Sequence, residues 1–522
     1  MSLLGIDVGT SGCKAAAFSE RGECLATAYR EYATLHPRPG WAELDSREVW
    51  NCLGDTIAEV SGLVTHDPVR ALCVSSMGEA MTPVSRGRQI LGPCILSSDT
   101  RGVEYVEALA RQIPQEAFFR INPNIFGPQY SLPKLLWLRE LQPGLFAQAY
   151  KFLLWGDLVA FMLGCDPVTS YSHANRTLLF DIRKEDWSEP LLLLTGIERA
   201  QLPLPLPSGT VAGTVCERVA RELNLPKGVM VVVGGHDQCC SSLGAGVYQA
   251  GKAVCGIGTF ECITPTYDHL PDAAAMLRHG LNIEHHVLPG LFVSFIYNQG
   301  GTLVRWFRDT FARADRKLLP AAADIYEALA REMPPEPTRL FTLPYFEITG
   351  PPRFIADASG VIVGLKTSTT RGEILKSIME SVTFYFAESL QALSELGVNP
   401  SEFVATGGGA KSDQWLQLKA DIFGVPFVRP RVTEAGVLGA AMLAGIAAGV
   451  FRRPAEAVGQ FVKADRVFEP DPSRHRIYQQ KLEAYGELFP LLEDFLARLE
   501  KSEVEFTGCS PGECNTRKTF SR

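Results

Sequence analysis

The sequence predicts an α/β protein of two domains, and three observations carry that expectation. Its 522 residues, 46% hydrophobic and 21% charged, exceed what one compact core holds, so the chain divides. Short β-rich runs alternate with amphipathic stretches along the whole length, the pattern of sheets covered by helices. The opening Gly5-Ile6-Asp7-Val8-Gly9-Thr10 is echoed by Val254-Cys255-Gly256-Ile257-Gly258-Thr259, which points to a duplication whose second copy begins near residue 247. Gly244-Ala245-Gly246 supplies flexible residues for a hinge between the two.

The first strand, Leu3 to Val8, ends in Gly9-Thr10-Ser11-Gly12, and Lys14 to Phe18 resumes the apolar run, so a hairpin with a Gly-rich turn is expected. Neither Gly-x-x-x-x-Gly-Lys-Ser/Thr nor Gly-x-Gly-x-x-Gly stands there, which excludes a P-loop and a dinucleotide fingerprint. Asp45, with Glu48 three positions on, caps a helix after the loop Gly40-Trp41-Ala42-Glu43. Leu72 to Ser76 reads as a strand followed by Glu79, and Asp99 and Arg101 follow Ile95 and Leu96. Met230 to Val233 leads into Gly234-Gly235-His236-Asp237. Phe403 to Thr406 is a strand, Gly407-Gly408-Gly409 a tight turn, and Ser412 to Phe423 a helix with Trp415, Leu416 and Ile422 on its apolar side; a strand, turn and helix start of this kind suits phosphate. Glu434 to Gly449 carries Ala and Gly at helical spacing, the composition of a helix packed closely on a neighbour.

Composition excludes several roles. A net charge of −8, with no run of Lys and Arg, offers nothing to a nucleic-acid backbone. The apolar stretches fall short of the ~20 residues that cross a bilayer, and Met1 to Asp7 runs straight into a strand with no leader pattern, so neither a membrane nor export is expected. Thirteen cysteines, an odd number set mostly in apolar surroundings (Cys13, Cys73, Cys94, Cys255, Cys262), suit the reducing cytoplasm. Cys509 and Cys514 have no second pair or histidine nearby, so no zinc site is expected, and the polar tail 503–522 reads as disordered.

Several residues are candidates for chemistry. Asp237, between an apolar strand and glycine-rich turns, is costly unless it caps a turn or does chemistry. Asp7 interrupts an apolar strand just before a glycine turn; it either bonds turn amides or serves Mg²⁺. Thr10, Ser11 and Lys14 suit phosphates through hydroxyls, amides and an ammonium, although Lys14 reads equally as a solvated strand residue. Glu79, Asp99 and Arg101 offer the paired donors and acceptors that vicinal hydroxyls require; an ordinary ion pair is the other reading of Arg101. His236 reads as a bonded neighbour of Asp237, and Cys239 and Cys240 as helix-packing residues close to the site.

Together these residues resemble the FGGY carbohydrate kinase family over roughly residues 3 to 450. Gly360-Val361-Ile362-Val363-Gly364-Leu365, then Glu373-Ile374 and Ser377-Ile378-Met379-Glu380, satisfy one family signature at each position. The other is centred on Lys134-Leu135-Leu136-Trp137-Leu138, where Gln129 departs from the usual start. The remaining blocks follow in order: Gly5 to Ser11, Gly235-His236-Asp237-Gln238, Gly258-Thr259, and Gly407 to Ala410 with Trp415 and Ala420-Asp421.

The resemblance implies two actin-like (ribonuclease-H-like) domains with an interdomain active-site cleft: residues 1–246, sugar-binding, and 247–485, ATP-binding. It implies ATP and Mg²⁺ as cofactors, a small sugar or polyol as substrate, Asp237 as base, and Asp7 with Asp237 at the metal. It further assigns Gln238 to the sugar, Gly258 and Thr259 to a second phosphate turn, Gly301 to the nucleotide, and Gly408, Gly409 and Ser412 to adenosine. The expected reaction moves the ATP γ-phosphoryl group to a hydroxyl of a sugar, sugar alcohol or sugar acid, foremost a xylulose-like pentulose. Gly78 stands where relatives often carry Arg or His, and Ser97-Ser98 replaces a frequent aromatic residue, so the sugar stays open. A homodimer also stays open. The rivals are a phosphohydrolase and an actin-like or chaperone-like nucleotide switch.

Overall fold

A computed structural model describes residues 1–318, 320, 324–347, 349–355, 359–431 and 434–507. Two large sheets organise it. The first contains β1 (Ser2–Val8), β2 (Gly12–Ser19), β3 (Cys24–Glu31), β4 (Val69–Ser76), β5 (Val211–Thr214) and β6 (Met230–His236), in the order β5-β6-β4-β1-β2-β3. The second contains β7 (Lys252–Ile257), β8 (Phe260–Tyr267), β9 (Glu284–His285), β10 (Phe292–Val293), β11 (Ile296–Gln299), β12 (Glu402–Thr406), β13 (Phe427–Pro430) and β14 (Ala464–Phe468). Its order is β9-β10-β8-β7-β12-β13-β14, with β11 also paired to β8.

The two sheets repeat one plan. β1 forms an antiparallel hairpin with β2 and lies parallel to β4, which lies parallel to β6, with β5 antiparallel outside. Likewise β7 forms a hairpin with β8 and lies parallel to β12, which lies parallel to β13, with β14 antiparallel outside. The six-residue echo therefore marks the leading hairpin of each copy. Leu3, Leu4, Ile6 and Val8 of β1 are wholly buried, as a parallel strand covered on both faces requires. Asp7 is the half-buried exception.

The helices that position the site are α1 (Ser46–Leu63), α2 (Ser131–Leu141), α3 (Tyr171–Asn175), α4 (Asp237–Gly244), α5 (Gly301–Phe311), α6 (Arg371–Glu395), α7 (Asp413–Phe423), α8 (Ala435–Ala447), α9 (Pro454–Phe461) and α10 (Pro472–Thr507). Asp45 caps α1, accepting from the Arg47 and Glu48 amides.

The Ala- and Gly-rich segment forms α8, and its neighbours are α4, β1 and β4. The approach is at backbone distance: a Cβ on Gly5 would lie 1.9 Å from the Val437 carbonyl oxygen, and one on Gly439 1.9 Å from that of Cys240. α8 and α9 share a core with Leu3, Phe18, Cys73 and Val232, so a stretch late in the chain covers the first sheet.

α10 continues to Thr507, past residue 503 where the sequence predicts the tail to begin; residues 508–522, with Cys509 and Cys514, lie outside the described residues. Among the described residues no helix is long and apolar enough to cross a membrane, and no cysteine is paired.

Candidate active site

The parallel strands β1, β4 and β6 deliver Asp7, Ser75 and Asp237 to one end of the first sheet, where open α/β sheets bind ligands. Asp7 registers with Ser75, and Ser75 with Gly235. The Ser75 hydroxyl donates to Asp7 Oδ1 at 2.5 Å. The start of α8 closes over this carboxylate: a Cβ on Gly436 would lie 3.0 Å from Asp7 Oδ1. Burial raises the Asp7 carboxyl, against the Ser75 hydrogen bond.

Asp237 opens α4 immediately after β6, and about a third of its side chain, 35%, stays open to solvent. Its Oδ1 accepts the Gln238 amide at 2.6 Å, a turn-capping bond that leaves the second oxygen available. Burial, reinforced by the charges of Asp7 and Glu79, raises its carboxyl to about 7. His236 is buried, with its Nδ1 3.2 Å from the Gln238 amide and 3.1 Å from Asp237 Oδ1. Its ring stacks on Phe295 at 4.9 Å, and burial holds it neutral. Cys239 and Cys240 are wholly buried, and burial raises both thiols well above their ordinary range, which leaves them packing residues.

Glu79 lies in a left-handed backbone conformation, φ 57°, unusual for a residue with a side chain. Its carbonyl accepts the Ser131 hydroxyl at 2.7 Å, and its carboxylate accepts Arg176 Nε at 2.6 Å. Arg176 Nη1 reaches Glu284 Oε1 at 2.8 Å. Sequence reasoning missed both partners. Neither carried a local signal, since the two charges pair across 108 residues and each needs the other to be buried.

Asp99 and Arg101 form a separate cluster, almost entirely buried. Asp99 Oδ2 accepts the Ala42 amide at 2.6 Å, and Arg101 Nη2 contacts Glu43 at 2.8 Å while its guanidinium lies over Trp41 at 4.0 Å and Trp137 at 5.0 Å. Lys134 Nζ ties the backbone oxygens of both residues to α2, at 2.6 and 2.7 Å. The charges of this cluster are met by one another, so the structure groups Asp99 and Arg101 with Glu43 and Lys134, apart from the Glu79–Arg176 pair.

Thr10 and Ser11 are exposed in the hairpin turn, where the Gly9 amide donates to the Gly12 carbonyl at 3.0 Å. Lys14, opposite Asp7 on β2, pairs with Glu434 at 2.7 Å.

In the second sheet a cavity of about 560 Å³ brings together Gly258, Thr259, Gly301, Gly408, Gly409 and Ser412. The turn after β7 meets the start of α5 through the Gly301 amide, which donates to the Gly258 carbonyl at 3.0 Å. A Cβ on Gly301 would lie 2.3 Å from that oxygen, so the contact demands glycine. Ser412 caps α7, whose N-terminus carries the helix's positive end. Arg305, Tyr326, Gln414, Lys411 and Met379 are among the other residues of the wall and were not foreseen; Arg305 Nη2 lies 3.3 Å from the Thr259 hydroxyl. Arg305 stands one helical turn after Gly301, so the 3.6-residue period was its signal.

Among the described residues no group of three or more His, Cys, Asp or Glu is spaced for a metal ion. Two mutually repelling carboxylates, Asp7 and Asp237, nevertheless suit Mg²⁺, which takes one or two carboxylates and completes its shell with water and phosphate.

Residues 2–244 match the FGGY family of carbohydrate kinases, N-terminal domain, and residues 253–448 its C-terminal domain. The chain is similar to the xylulose kinase of Bacillus subtilis (strain 168), 28% identical over 505 residues, 95% of this chain and 98% of the relative. It is 31% identical to the glycerol kinase of Acidovorax ebreus (strain TPSY) over 497 residues, 90% of this chain and 94% of the relative. Crystal structures of a ligand-bound xylulose kinase and a gluconate kinase, both from Lactobacillus acidophilus, each superpose with a TM-score of 0.86 at 23% identity, covering 95% of this chain and 99% of theirs. The two-domain actin-like fold is common to this chain and these structures.

Proposed function

We propose, from the premise that this chain belongs to the FGGY family of carbohydrate kinases, that it transfers the γ-phosphoryl group of ATP to a hydroxyl of a small sugar, sugar alcohol or sugar acid, a xylulose-like pentulose foremost. The observation that carries the mechanism is Asp237: a carboxyl raised to about 7, open on one side, at the start of α4 and beside Asp7. Near neutral pH such a group is ionised often enough to accept a proton and basic enough to hold it, which is what a general base requires.

The substrate hydroxyl gives its proton to Asp237 as its oxygen bonds to the γ-phosphorus and the bond to ADP breaks. Glu79 and Gln238 would meet the sugar's other hydroxyls, and Asp99 and Arg101 would set the wall behind them. ATP would lie with its adenosine against Gly408, Gly409 and Ser412 and its phosphates between Thr10, Ser11 and Lys14 on one side and Gly258, Thr259 and Gly301 on the other. Asp7 and Asp237 would hold Mg²⁺, which supplies charge neutralisation to the phosphates when bound. The residues run as domains of 1–246 and 247–485, and closing them would keep water from the phosphoryl group.

Asp237→Asn tests this. The amide keeps the shape and turn bonding but cannot take the proton, so sugar-dependent ADP release should fall by ~10²–10⁴-fold or more, with ATP affinity and melting temperature retained. Turnover within about tenfold of the unmodified protein would make Asp237 a turn cap and sink the mechanism.

A further inference from the structure

Gly78 has no room for a side chain. A Cβ there would lie 2.7 Å from His236 Cδ2 and 3.3 Å from Arg176 Cγ, and His236 is pinned on Phe295. The space beside residue 78 is thus filled by His236 and by Arg176, the latter delivered from the end of α3. Its guanidinium lies over Tyr130 at 4.7 Å and Phe295 at 5.6 Å. With Gln129, Tyr130, Asn282 and Tyr297 it lines a small pocket.

The charge of this group decides what it accepts. Arg176 is bound to Glu79 through Nε and Nη2 and to Glu284 through Nη1, with Asn124 Oδ1 3.4 Å from Nη1. Four contacts engage four of the five guanidinium N–H groups. The cation faces two carboxylates, with Asp237 as a third within electrostatic range. A neutral polyol can accept from the guanidinium and donate to Glu79. A sugar acid would bring a further negative charge into a group that already has an excess of it, which is disfavoured wherever water is excluded.

We propose that Arg176 gives its remaining N–H to one substrate hydroxyl beside Asp237, and that its partners Glu79 and Glu284 restrict the enzyme to neutral polyhydroxy substrates and bar sugar acids. This deepens the kinase reading above and rests on it.

The test is steady-state kinetics of the full chain with ATP and D-xylulose, glycerol or D-gluconate. A neutral substrate is expected to be turned over and gluconate to be a poor substrate and a weak competitor. Arg176→Lys keeps a cation between the carboxylates but loses the planar fork, so the KM for the neutral substrate should rise about tenfold or more, with the KM for ATP unchanged. The double variant Arg176→Gln with Glu284→Gln removes one charge of each sign; its melting temperature reports folding, and it should show the same rise in sugar KM. Glu284→Gln should make gluconate a better competitor. Gluconate turnover equal to that of the neutral sugars, an unchanged sugar KM in both Arg176 variants, or unchanged gluconate competition in Glu284→Gln each overturns the inference while leaving the kinase reading standing. Failure to release ADP with these three compounds and with a wider panel of pentuloses, pentitols, tetritols and sugar acids overturns the reading on which it rests.

Discussion

Asp237 is held between two opposed demands. As a base it must be ionised, yet burial, Asp7 and Glu79 favour its neutral form. Two pH dependences of opposite sign result. For activity, kcat/KM should rise with pH as Asp237 ionises, because only the carboxylate accepts the proton, with a midpoint that bound Mg²⁺ moves below the metal-free value of about 7. For stability, the folded state binds the proton more tightly than the unfolded chain, whose carboxyl titrates near 3.9. This group's contribution is therefore complete below about pH 4 and is lost as pH rises through about 7. Without ligand or metal, thermal stability should fall between pH 5 and 8 more steeply than in Asp237→Asn. Coincident melting curves for the two proteins would show that the carboxyl is not raised. Asp237 was legible because it ends an apolar run. Arg176 and Glu284 were not, because they lie 108 residues apart and explain each other only once the folded chain brings them together.

Among the elements, the two leading hairpins and the turn before α7 were legible, since a glycine turn after an apolar strand has few alternatives. α8 was half legible: its composition announced close packing but not its partner. The crossing with α4 makes a sharp prediction, because two effects compete there. Alanine in place of glycine inside a helix gains ~1 kcal/mol from propensity alone. At Gly439 the new Cβ would lie 1.9 Å from the Cys240 carbonyl oxygen, a backbone atom that cannot step aside without moving α4. Overpacking of this kind costs ~1–3 kcal/mol or more, so Gly439→Ala should lower the melting temperature despite its better propensity. A Cβ on Gly459 in α9 would meet nothing within 4 Å, and Gly459→Ala should hold or raise it. Equal effects at the two sites would mean that α8 and α4 are not packed at backbone distance.

At the scale of the molecule, the paired sheets follow from a short echo in the sequence, but the path of the chain between them does not. The echo marks where each copy begins; it is silent on residues 435–461, which leave the second sheet's neighbourhood to cover the first. Leu3, Phe18, Cys73 and Val232, each 4% exposed or less, lie in one core with α8 and α9. A fragment of residues 1–248 should therefore aggregate or bind hydrophobic dyes, and coexpression with residues 249–522 should restore it; a soluble fragment that melts cooperatively would refute this. The same feature sets a timetable during synthesis. Roughly 200 residues of translation separate the end of the first half from the helix that completes it, about 10–40 s at ordinary ribosome speeds of ~5–20 residues per second. During that interval the emerging half presents an unfinished apolar face to solvent, which makes it a client for holding chaperones until the ribosome has passed the codon for Phe461.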